Sequence, residues 1–173
     1  MGGYYITTYH SMELDGLEVF YRKAGDPDKP VILLLHGLLL HGFPSANHTF
    51  RALIPELEKD YYVIAPDYPG FGNTLSPDEE DFQYTFDHIT EVIESFIDKL
   101  MLTKYTLYVF DYGVPIGFRI AMHRPEHVTA IISQNRNQHL HLTRSRNNIF
   151  KEHQLEGYER GRDFTYTSTF ILN

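Results

Sequence analysis

The apolar positions of this chain fall into short runs divided by turn residues, and the character of the runs changes along the sequence. Val31-Ile32-Leu33-Leu34-Leu35 is apolar without a break, which predicts a strand buried on both faces, as in a parallel sheet. Tyr61 to Ala65 and the aromatic, β-branched stretch Tyr105 to Phe110 predict two more such strands, and Val128 to Ser133 a further short one. Between them the period lengthens. After Thr85, a residue suited to an N-cap, Ile89, Val92, Ile93, Phe96, Ile97 and Leu100 recur at spacings that share one helical face. A helix is also expected around His48 to Glu58, and another from Val114, where Pro115 is tolerated in a first turn. The order from Val31 onward is therefore βαβαβαβ, which predicts an α/β fold with a mostly parallel sheet and right-handed crossovers. Upstream, Tyr4 to Tyr9 and Leu17 to Arg22 are expected as strands, with Asp15-Gly16 as a hairpin turn.

In such sheets ligands bind where strands end, at the carboxyl edge. Three turns converge there: His41-Gly42, Asp67 to Gly72, and Asp111. Asp111 stands between a strand and a helix with only Tyr112 and Gly113 following. A strand that turns at once into a helix leaves the turn residue exposed above the helix N-terminus, whose free N–H groups and partial positive charge favour an ionised carboxylate. Two readings compete: an N-cap, and a nucleophile elbow carrying carboxylate in place of serine. The convergence of three turns on one rim favours the second.

The sequence also holds an oddity. Leu33-Leu34-Leu35-His36-Gly37 is followed at once by Leu38-Leu39-Leu40-His41-Gly42. A tandem copy of five residues is too short to be an architectural repeat. Either copy serves as the strand end, and the other must loop out or extend the strand.

Composition narrows the function class. At 173 residues, one domain with a real core is expected, and 42% hydrophobic with 14% aromatic residues fits a globular chain. The net charge of −8 argues against nucleic acid as a partner. The absence of cysteine excludes disulfides, thiol catalysis and Cys-ligated zinc. Met1 to His10 has no apolar core, so no signal peptide is expected, and the longest apolar runs are far too short to span a bilayer. A cytoplasmic protein without membrane contact is the default. His139 and His141 would share one face of a strand, but no third metal ligand accompanies them. No metal and no cofactor is expected.

Three motifs together carry a resemblance: His-Gly-Phe-Pro at 41–44, Asp-Tyr-Pro-Gly-Phe-Gly at 67–72 and Val-Phe-Asp-Tyr-Gly at 109–113. In order and spacing the chain resembles the α/β-hydrolases, in the branch that holds haloalkane dehalogenases and epoxide hydrolases, over about residues 13–135. The resemblance implies a three-layer sandwich, the N-terminal part of that fold. It implies that Asp111 attacks an electrophilic carbon to form an alkyl-enzyme ester, and that the backbone N–H groups of Phe43 and Tyr112 form the oxyanion hole. His41, Gly42 and Tyr112 would line the crevice for a small apolar organic substrate. The dehalogenase branch typically has Trp and Asn where this chain has Tyr112 and Phe43. Phe after His-Gly looks more like the epoxide hydrolases.

After Asn135 the motifs stop. The tail from Arg136 carries six Lys or Arg against four Asp or Glu, opposite in sign to the rest of the chain. Residues 1–135 are therefore expected as the hydrolase core and 136–173 as a divergent tail rather than a separate domain. In the tail, Phe164 to Leu172 alternates like a strand and Ser145 to Gln154 is expected to be helical. No triad acid is recognisable there, and His139, His141 and His153 carry no sign of being the base. Two function readings thus remain: a hydrolase using Asp111, or a truncated relative without turnover that binds small molecules or acts as an interaction module. An incomplete sheet would also favour self-association.

Overall fold

A computed structural model describes residues 6–37, 46–134, 150–154 and 167–172, the last two stretches as backbone only. Eight strands form one sheet: β1 (Thr8–Leu14), β2 (Leu17–Ala24), β3 (Val31–Leu35), β4 (Tyr62–Pro66), β5 (Tyr105–Phe110), β6 (Val128–Gln134), β7 (Phe150–Gln154) and β8 (Thr167–Leu172). Their spatial order is β1-β2-β4-β3-β5-β6-β8-β7. The middle four, β4-β3-β5-β6, run parallel, so their carboxyl ends share one edge. The outer pairs on both sides are antiparallel. The expected α/β sandwich is what the chain adopts.

The hairpin turn lies at Asp15-Gly16, both with positive φ (48° and 90°), as a two-residue hairpin turn with the strands' own twist requires. The first strand nevertheless runs Thr8–Leu14, later than the expected Tyr4 to Tyr9, because β2 pairs with the residues directly flanking that turn, from Leu14↔Leu17 outward. Tyr4 and Tyr5 lie outside the described residues.

The long amphipathic helix is α2 (Phe86–Lys99), and Thr85 caps it by accepting the His88 N–H at 3.2 Å. α3 spans Gly113–His123. Both cover one sheet face, where Ile93, Phe96 and Ile97 meet Leu33, Leu35, Leu107 and Val109, all essentially inaccessible to water. The opposite face has a smaller core around Ile32, Leu34, Val63 and Ala65, covered by Phe50 and Ile54. The helix expected at His48 to Glu58 is a 3₁₀ turn, Asn47–Ala52, followed by one α turn, α1 (Ile54–Leu57). Pro55 lacks the N–H that a continuous helix would use, so the chain restarts there. The helix expected at Ser145 to Gln154 is corrected as well: 150–154 is β7, paired antiparallel with β8. A stretch that short is marginal as a helix, and an open sheet edge offers its backbone ready hydrogen-bond partners. Phe164 to Leu172 does contain a strand, β8, which pairs antiparallel with β6.

Buried polar groups tie the carboxyl edge together. Asp67 follows β4 and has no exposure; its Oδ1 accepts the Asn47 N–H (2.6 Å) and its Oδ2 the Asn73 N–H (3.0 Å). Asn47 Nδ2 donates to the Ala65 carbonyl (3.0 Å). Burial pushes the Asp67 carboxyl up, while the two N–H donors hold it down. His36, at the end of β3, is also fully buried and stacks on Tyr68 with ring centroids 4.2 Å apart. Its Nε2 takes the Tyr68 N–H at 3.4 Å, which leaves Nδ1 to donate to the Gly37 carbonyl at 3.2 Å. Those partners fit a neutral ring, and burial pushes its pKa down to about 4. The 3.9 Å separation from Asp67 is thus not an ion pair at neutral pH. Among the described residues, no helix is long and apolar enough to cross a membrane, and no group of three His, Cys, Asp or Glu could hold a metal.

Two outcomes follow for stability. Thr85→Ala should cost about 1 kcal/mol in chemical denaturation, the usual loss for an N-cap hydroxyl. The unfolded chain protonates His36 near pH 6.5 but the native chain only near 4. Stability should therefore fall as pH drops through that window, by up to ~3 kcal/mol relative to a His36→Asn chain. Parallel unfolding curves for the two proteins at each pH check this, and equal slopes would mean the ring is not buried neutral.

Candidate active site

β5 ends at Phe110 and α3 begins at Gly113, so strand becomes helix within two residues. The first of them, Asp111, has φ +48°. Among the described non-glycine residues only Asp15, Met101 and Asp111 are left-handed. Asp15 sits in the hairpin turn and Met101 just beyond the end of α2, places where turns commonly demand such backbone. Asp111 stands at neither; there the left-handed residue makes a strand-to-helix turn sharp. Such backbone costs roughly 1–3 kcal/mol, and Asp is one of the few side chains that adopts it readily. The Val114 N–H donates to the Asp111 carbonyl at 3.0 Å and closes the turn. The N-cap position of α3 belongs to Tyr112, which is αR and whose side chain makes no capping bond. Asp111 thus stands one residue before the N-cap rather than in it.

Three glycines let the neighbouring backbone close around this turn. A Cβ on Gly37 would lie 2.5 Å from Asp111 Cβ and 2.7 Å from Phe110 Cδ1. One on Gly113 would overlap the Leu35 carbonyl, and one on Gly117 the Val109 side chain. The end of β3 thus presses directly against the elbow, and α3 lies close on β3 and β5. Asp111 itself is half-buried at the carboxyl edge of the parallel strands.

On the outer side, Tyr112 is 39% exposed and its ring lies 5.3 Å from that of Phe86, the first residue of α2, tilted by 48°. Arg119 holds this corner: its Nε donates to Asp87 (2.6 Å), its Nη1 donates to the Pro115 carbonyl (3.1 Å), and its guanidinium carbon is 5.7 Å from the Phe86 ring centre. Phe86 and Gly37 are neighbours of the elbow that the sequence reading did not single out. A signal existed for Gly37, as the first copy's glycine in the five-residue repeat; Phe86 gave none.

Of the predicted site residues, Asp111 and Tyr112 stand together at the elbow. His41, Gly42 and Phe43 lie outside the described residues. The open question of the repeat is answered for the strand: the first copy forms it, with Leu33 to Leu35 in β3, His36 buried beyond it and Gly37 against Asp111. The next residue in sequence is Leu38, and Phe43 follows six positions after Gly37. His139 and His141 are likewise outside the described residues. His88 bonds the Gln83 carbonyl and His123 pairs with Glu94, both 3.1 Å and on helices α2 and α3.

This geometry has relatives. The alpha/beta hydrolase fold family profile matches residues 30–170, reaching further than the sequence motifs do. An uncharacterized hydrolase of Saccharomyces cerevisiae is 44% identical over 133 residues, covering 76% of this chain and 43% of its own. Human epoxide hydrolase 4 is 33% identical, with 73% of this chain and 33% of the relative covered. A loop variant of haloalkane dehalogenase from Bradyrhizobium elkanii superposes with a TM-score of 0.65 at 28% identity, over 71% of this chain and 38% of that one. The chain spans less than half the length of these relatives. Matched by the family profile over most of its length, the chain belongs to the alpha/beta hydrolase fold family.

Proposed function

We propose that Asp111 is the nucleophile of a hydrolase acting on an electrophilic carbon of a small apolar molecule, of the epoxide or haloalkane type. The observation that carries this reading is a carboxylate on a left-handed strand-to-helix turn at the carboxyl edge of parallel strands. An ionised carboxylate attacks without a base. One of its oxygens bonds to carbon while the carbon–oxygen bond of an epoxide, or the carbon–halogen bond, breaks and its electron pair leaves on oxygen or halide. The epoxide oxygen then takes a proton from an acid or from solvent. The result is an alkyl ester on Asp111. Water adding to that ester carbonyl places negative charge on its oxygen, where the Tyr112 N–H at the positive end of α3 would donate, with Phe43 as the second donor. Collapse of that intermediate returns the carboxylate and releases an alcohol. The names of the relatives support this substrate class.

A second reading rests on the chain spanning less than half of its relatives. The water step needs a base, and no residue among those described is placed for it. His36 is sealed from water and committed to two backbone partners. Under this reading the chain forms the ester and stops, a covalent binder rather than a catalyst.

Intact-mass measurement after incubation with a small epoxide or 1-haloalkane separates these. We expect an adduct that maps to Asp111 by peptide sequencing and falls to background in Asp111→Asn. Steady product release would favour turnover; adduct without product would favour the covalent binder. An unmodified chain would remove Asp111 from any such chemistry and leave an interaction module.

A further inference from the structure

The repeat Leu33–Gly37 and Leu38–Gly42 begins in β3, and the first copy occupies the strand end against the elbow. Sliding the chain back by five residues would put Leu38, Leu39, Leu40, His41 and Gly42 into the places of Leu33, Leu34, Leu35, His36 and Gly37. All five side chains would be the same as before. The contacts of those places would then be kept: the pairing of position 35 with Val109, the buried ring against Tyr68, and the glycine against Asp111. Only the first two strand positions change, where Val31 and Ile32 would give way to His36 and Gly37. Val31 is half-buried and Ile32 is 1% exposed, so the difference between the registers rests mainly on Ile32.

We propose that β3 folds in two registers five residues apart, with the buried Ile32 side chain holding the balance toward the observed one. The surplus residues follow the strand in one register and precede it in the other. The register decides which residue comes directly after the glycine packed on Asp111: Leu38 in the observed form, Phe43 in the shifted one. The shifted form therefore restores the unbroken His-Gly-Phe-Pro run at the elbow. That consequence rests on the reading of Asp111 as nucleophile, whereas the two registers do not.

The chain has no cysteine, so introduced thiols report without background. Leu35→Cys is buried in the observed register and in the looped-out segment in the shifted one. Leu107→Cys, on the neighbouring strand, is buried in both and reports global unfolding. We expect the folded Leu35→Cys chain to react with a thiol reagent in two phases, with a minor fast fraction. Ile32→Gly should raise that fraction on the order of tenfold relative to the Leu107→Cys control, since it makes the two registers alike at that position. Leu39→Asp should abolish it, because the shifted register would bury a carboxylate where Leu34 now lies with no exposure. If Ile32→Gly unfolds the chain, the Leu107→Cys thiol reveals this and Ile32→Ala replaces it. A single slow phase for Leu35→Cys, unaltered by the Ile32 and Leu39 substitutions, overturns the proposal. So does a fast phase that survives Leu39→Asp. Because no substrate enters this experiment, its failure is distinct from failure of the chemistry at Asp111.

Discussion

The sharp turn at Asp111 depends on a contact between main chains. The Leu35 carbonyl stands where residue 113 would carry a side chain, and the Asp111 Cβ stands where residue 37 would. Any side chain at either place would push α3 off the sheet or β3 away from β5. Forced overpacking of that kind costs roughly 1–3 kcal/mol. With glycine at both, Val114, Ile116 and Ile120 reach full burial against the sheet. That burial offsets the left-handed backbone of Asp111. The strain is local, and the packing that holds it is spread over a helix and two strands.

The buried polar groups beneath the elbow hold loops in place. Asp67 accepts N–H groups from the segments on either side of it, so the 3₁₀ turn after the repeat and the loop after β4 are fixed to one carboxylate. Its place also explains Gly72: a Cβ there would strike Asp67 Oδ2. The His36 ring keeps its proton on Nδ1 for Gly37 and its lone pair for Tyr68. A group in that state neither reaches water nor takes up a proton near neutral pH, which separates it from a general base. The rim thus combines a sealed polar layer that sets geometry with the half-buried Asp111 at the strand-to-helix turn.

How much of this was legible in the sequence differs by element. The parallel strands were, because a strand buried on both faces must be apolar throughout, as Val31 to Leu35 is. α2 was, because six apolar side chains on one stripe and a Thr before them leave little else. The helix around His48 was not, since Pro55 divides a segment whose apolar spacing is only roughly helical. β7 was missed because nothing in residues 145–154 signals a strand; its partner β8 supplies the hydrogen bonds. At the site, Asp111 could be found from the strand-to-helix junction. Its contact with Gly37 could not, because two identical copies gave two candidates for one place and neither copy differs in a side chain.

The sheet also sets where the tail meets the edge that carries Asp111. The turn at Asp111 and the helix N-terminus that follows it both come from residues 31–134. In this chain the strands beyond β6 are an antiparallel pair, β8 and β7, and β8 satisfies the backbone edge of β6. An antiparallel neighbour reverses direction, so β8 ends away from the edge that carries Asp111. It begins at that edge instead, with Thr167 opposite Gln134, and β7 runs the other way and ends there at Gln154. The tail therefore meets the carboxyl edge twice, at the start of β8 and at the end of β7, with β8 and β6 lying between β7 and the strand that leads into Asp111.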